Sequence, residues 1–173
     1  MKMRSTLTLA LVSCLFTSFV ALTSTPARAA AKDACSLITS ADAEAALGEP
    51  VAPPRHEPRP EGSACSFRSA QGPSLTAKTV TLSTHYSDTD ISGNENAMAD
   101  SLRAARFTNV QPVLGVGDTA VWGTASMMGR PSGNLTVRKG KNLILTIIIS
   151  GIANEATALD RAKALATAVL PKA

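Results

Sequence analysis

The segment Leu143-Ile144-Leu145-Thr146-Ile147-Ile148-Ile149 most limits what this chain can become. Leu143, Leu145, Ile147 and Ile149 share one face at the two-residue period of a strand, while Ile144 and Ile148 occupy the other. A strand apolar on both sides is expected at the centre of a sheet, buried on both faces. Leu135 and Val137 lead into Lys139-Gly140 just before it, so the two runs read as a hairpin. Arg138-Lys139-Gly140-Lys141 is then its charged tip and not a nucleic-acid patch. Downstream, Asn154 or Glu155 opens a helix in which Leu159, Ala162, Ala166 and Val169 share a face, ending before Pro171.

The first half has a similar order. Thr39-x-x-Asp42 is a capping box for a helix near 39–47, which Gly48 and Pro50 stop. Residues 50–62 hold five of the ten prolines among Arg55, His56, Glu57, Arg59 and Glu61, and read as an exposed, extended loop. Cys65, Phe67 and Ala70 then suggest a strand, Gln71-Gly72-Pro73-Ser74 a turn, and Lys78, Val80, Leu82 and Thr84 a second strand. Ser92-x-x-Glu95 caps a helix near 95–106. Strand, strand, helix thus occurs on each side of Gly115-Val116-Gly117-Asp118. The expected fold is α+β: an antiparallel or mixed sheet with helices packed mainly on one face, and a possible repetition of the strand-strand-helix halves. An all-parallel doubly wound sheet is disfavoured, because helices do not alternate with every strand.

Lys2 and Arg4, the uncharged stretch that follows them, and Ala27-Arg28-Ala29 have the order of a secretory signal peptide over residues 1–29. A retained membrane helix is the weaker alternative, since serines and threonines dilute the run. Leu11-Val12-Ser13-Cys14 also resembles a lipobox, in which Cys14 would carry a lipid anchor. Residues 30–173 then form one exported domain with 14 basic against 13 acidic residues, so neither nucleic acid nor an anionic membrane is implied as partner. A membrane enters only if Cys14 is lipidated. Without Cys14 two cysteines remain, Cys35 and Cys65, an even number that reads as a disulfide in an oxidising compartment, with two separate buried thiols as the other reading. A periplasmic or secreted location follows.

Catalytic chemistry finds little support. His56 lies among prolines, a poor place to hold a general base. His85-Tyr86-Ser87-Asp88-Thr89-Asp90 could offer an imidazole and two carboxylates to a metal, but matches no closed zinc site and suits a turn. There is no G-x-S-x-G and no S-x-x-K lysine. Gly115-x-Gly117-x-x-Ala120 matches a dinucleotide fingerprint, yet Ala120-Val121-Trp122 reads as strand where that motif needs a helix. Asn134-Leu135-Thr136 is a glycosylation sequon. No cofactor is expected.

Ala34-Cys35-Ser36-Leu37-Ile38-Thr39, Ala45-Ala46-Leu47-Gly48, Cys65-Ser66-Phe67, Gly115-Val116-Gly117-Asp118-Thr119-Ala120-Val121-Trp122 and Leu135-Thr136-Val137-Arg138-Lys139-Gly140 together resemble small bacterial exported proteins and lipoproteins of unknown function. The resemblance implies a Cys35–Cys65 pair, a helix-on-sheet domain and a cell-envelope location. It carries no chemistry. The resulting expectation is a non-enzymatic envelope binding domain for a small molecule, lipid or peptide, lined by Trp122, Asp118, Tyr86 and Arg68. The alternative is a protein-interaction module, such as an inhibitor or immunity partner of an envelope enzyme or toxin, using the proline-rich loop. An enzyme built on His85 and Asp88 ranks third.

Overall fold

A computed structural model describes residues 32–71, 76–87 and 95–173. The expected signal peptide over residues 1–29 with Cys14, most of the expected Gln71–Ser74 turn, Asp88 to Asp90 and the expected Ser92 cap lie outside the described residues.

The chain runs α1 (Ala34–Leu37), α2 (Ser40–Leu47), β1 (Arg55–Arg59), β2 (Gly62–Arg68), β3 (Thr79–Tyr86), α3 (Glu95–Ala104), β4 (Thr108–Pro112), β5 (Thr119–Met127), β6 (Arg130–Lys139), β7 (Leu143–Ser150) and α4 (Glu155–Val169), closing on a 3-10 turn at Leu170–Lys172. The seven strands form one sheet in the order β1-β2-β3-β7-β6-β5-β4. Every pairing is antiparallel. The fold is therefore α+β. Each group of strands is a meander, and β7 joins the groups by pairing with β3 on one side and β6 on the other.

Side chains alternate along each strand, so the register sorts them into two faces. On one face Cys65, Phe67, Val80, Leu82, Leu145, Ile147, Ile149, Leu135, Val137, Ala120 and Trp122 join Leu37, Leu47, Ala162, Leu165 and Val169 in the main core. Helices α1, α2 and α4 cover this face. On the other face a smaller core of Ala99, Leu102, Phe107 and Val121 places α3 over β4 and β5. Strand-strand-helix does recur, but the two following helices, α3 and α4, lie on opposite sides of the sheet.

Helix α2 begins where the capping box puts it: Thr39 accepts from the Asp42 backbone N–H, and Asp42 accepts from that of Thr39. Burial pushes the Asp42 carboxyl up. The hydrogen bonds from the Thr39 backbone and hydroxyl, together with the Lys172 ammonium, outweigh it and hold the group below its ordinary 3.8. Asn154 caps α4 by accepting from the Thr157 N–H.

Three expectations need correction. The proline-rich segment is not wholly loop: Arg55–Arg59 is an edge strand in register with β2, Arg55 opposite Ser66 and Arg59 opposite Gly62. Proline lacks an N–H for a ladder, and an edge strand has one side on which none is needed. The chain before it also runs along β2, with the Ala52 N–H donating to Arg68 O at 2.8 Å. Next, β7 is central, yet only one of its faces is fully buried. Leu143, Leu145, Ile147 and Ile149 are enclosed, whereas Ile144 and Ile148 are half-buried. Finally, β4 was not foreseen; its Thr108-Asn109-Val110-Gln111-Pro112 has too few apolar residues to show a two-residue period.

Cys35 and Cys65 form a disulfide that fastens α1 to β2. Beside it the Ala34 N–H donates to Ser63 Oγ at 2.7 Å, and Asp33 caps α1 through the Cys35 N–H. A disulfide fits an oxidising compartment. No helix among the described residues is long and apolar enough to cross a membrane.

Candidate functional site

Trp122 lies in the middle of β5 with its ring in the main core, fully enclosed. It fits because Gly133, on β6, has no side chain: a Cβ there would overlap the far edge of the indole. The indole N–H points out of the core toward Glu155 Oε1, 3.4 Å away. The other carboxylate oxygen, Oε2, accepts from Asn109 Nδ2 at 3.1 Å. Asn109 can reach it because β4 changes register between Thr108 and Gln111, and Asn109 itself adopts φ 51°. Asparagine tolerates this left-handed backbone better than most residues, and bulges of this kind re-aim a side chain. Three elements thus hold one carboxylate in place.

Glu155 forms a wall of a groove of about 320 Å³ between the turn end of the β5–β6 hairpin and the first turn of α4. Thr108, Thr124, Ser126 and Ser132 contribute hydroxyls; Pro131, Ile152, Ala153 and Ala158 contribute apolar surface. Glu155 is the one charged residue in the lining, and no cation pairs with it among the described residues. The hairpin tip next to the groove carries Met127, about half exposed, and Met128, fully exposed. Met128 has φ 52° and Gly129 φ 75°, the backbone of a tight two-residue turn. A methionine there is strained, where asparagine or glycine would not be.

The four residues expected to line a site do not surround a common space. Trp122 belongs to the groove. Asp118 and Tyr86 sit at the opposite end of the sheet. Asp118 Oδ2 accepts from the Gly140 N–H at 2.7 Å and so ties the β6–β7 turn to the start of β5. Tyr86 ends β3 opposite Leu143, with its backbone N–H on Glu61 O. Arg68 ends β2, exposed, on the face away from the main core. Gly115 and Gly117 turn the chain into β5 and open no helix, so the dinucleotide pattern lacks its structural context. Asn134 of the sequon is 7 % exposed and its side-chain oxygen accepts from Thr136.

His85 lies near the end of a strand, as the sequence suggests, whereas His56 lies on a strand and not in a loop. His56 stands on β1 opposite Cys65 and pairs with Asp33 at 2.5 Å, so it braces the disulfide-bearing segment. His85 pairs with Glu61 of the β1–β2 turn at 3.5 Å. Among the described residues no three His, Cys, Asp or Glu side chains gather as a metal site. Comparison with protein-family models, with curated proteins and with solved structures finds no match to this chain.

Proposed function

We propose that the protein is a non-enzymatic binding domain of the cell envelope, periplasmic or secreted, that takes a small molecule, lipid or peptide in the Trp122–Glu155 groove. The observation that carries this reading is a carboxylate held by Trp122 and Asn109 at the wall of a partly apolar groove, with no cation paired to it among the described residues. A groove of this size falls at the lower end for small-ligand sites, which combine apolar walls with a few fixed polar groups. The fitting ligand brings an apolar body and a hydrogen-bond donor or ammonium for Glu155. Met127 and Met128 supply an adaptable apolar lip, since methionine packs against varied shapes.

Trp122 is the sole tryptophan, so its emission reports on the groove directly. Titration with envelope lipids, peptidoglycan fragments, short peptides and metabolites is expected to give a saturable change with one class, weakened at least tenfold in Glu155→Ala. Emission and melting temperature that stay flat across all four panels would sink the reading. The intact mass of the mature protein decides between cleavage near residue 29 and a lipid on Cys14.

The interaction-module reading, an inhibitor or immunity partner, draws on one observation: exposed Arg55 and Arg59, with half-buried Glu57 between them, form a charged row on edge strand β1, fixed by β2. If Arg55→Glu with Arg59→Glu recovers the same partners from envelope extract as the wild type, that reading is lost.

A further inference from the structure

The sheet face opposite α1, α2 and α4 carries a cluster outside the groove. Register sets it out: Arg55 of β1 faces Ser66 of β2, Ser66 faces Thr81 of β3, and two residues along, Arg68 faces Thr79. These five side chains point to the same side, because Cys65, Phe67, Val80 and Leu82 between them point into the main core. Arg55 and Arg68 are diagonal neighbours across the ladder, roughly 7–8 Å apart. They border a depression of about 430 Å³ whose floor includes Ser66, Thr79 and Thr81. The Ser66 and Thr81 hydroxyls are already bonded to each other at 2.9 Å. Among the described residues Arg55 gives only its Nε to Glu57, at 3.3 Å, which leaves both of its terminal amino groups for another partner. Arg68 has no ion pair or side-chain hydrogen bond among the described residues.

We infer that the Arg55–Arg68 depression binds a phosphate group, carried by a solute or by a lipid headgroup. A carboxylate has two coplanar oxygens, which a single guanidinium fork satisfies. A tetrahedral phosphate spreads its oxygens over enough directions to meet both guanidiniums and the Thr79 hydroxyl together. The site lies on the other side of the sheet from the Trp122 groove and does not depend on it.

Amide shifts of the isotope-labelled protein test this with three probes: inorganic phosphate, acetate at equal ionic strength, and phosphatidylglycerol in phosphatidylcholine vesicles against phosphatidylcholine alone. Phosphate is expected to give saturable shifts at Arg55, Ser66, Arg68 and Thr79, with acetate at least fivefold weaker. Arg68→Gln should lower phosphate affinity about tenfold. Arg106→Gln, at an exposed arginine in the turn after α3, should leave it unchanged. Saturation by phosphate without vesicle retention supports a solute-borne group; retention on phosphatidylglycerol vesicles that Arg68→Gln abolishes supports a headgroup. No saturation by either, acetate binding as tightly as phosphate, or equal weakening by Arg106→Gln would overturn the inference.

Discussion

Gly133 and Trp122 are complementary: the ring occupies the space a side chain at position 133 would need. Gly133→Ala should therefore displace the indole and destabilise the fold by about 1–3 kcal/mol, with a shift in tryptophan emission at zero denaturant. Met128 offers the opposite experiment. Met128→Asn relieves the left-handed strain and should raise stability by about 1 kcal/mol in urea unfolding, while weakening whatever binds the groove. Asp42 makes stability depend on acid. Its folded carboxyl titrates below 3.8, so its contribution is complete above the unfolded value and is lost as pH falls through the folded one. The urea midpoint should fall more steeply from about pH 5 to pH 2 in the wild type than in Asp42→Asn. The Thr39–Asp42 box was legible because it lies within one turn. The Glu155 cluster was not, since its hydrogen bonds span 46 and 33 residues and depend on a bulge that no local pattern announces.

Among the elements, β1 shows where reading by composition fails. Prolines and charges argue for a loop, yet an edge strand tolerates both, and charged edges resist pairing with other chains. Helix α4 and the β6–β7 hairpin were legible, because apolar spacing, caps and turn glycines agree there. The pairing of β3 with β7 was not, for it joins segments far apart in the chain. The disulfide acts at this scale by holding α1 against β2, 30 residues apart in sequence. Cys35→Ser with Cys65→Ser should cost about 3.5 kcal/mol in the chain-entropy picture, measured by urea unfolding. His56→Ala removes only the partly exposed Asp33 pair and should cost under about 1 kcal/mol.

In the whole molecule the sheet has a centre and two edges of unequal protection. Amides of β7, enclosed between β3 and β6, should exchange with solvent slowest, and those of β1 and β4 fastest. Hydrogen exchange in which Leu145 and Ile147 are no slower than β1 would contradict this order. The central strand is also the last strand in the chain. Both β1–β3 and β4–β6 precede residues 143–150 in sequence, so the two ribbons are joined only once β7 inserts between them. Until then β3 and β6 have no partner on their inner edges. Residues 143–150 thus act as the clasp of the sheet: without them β1–β3 and β4–β6 are two unjoined ribbons, and their insertion makes the two into one.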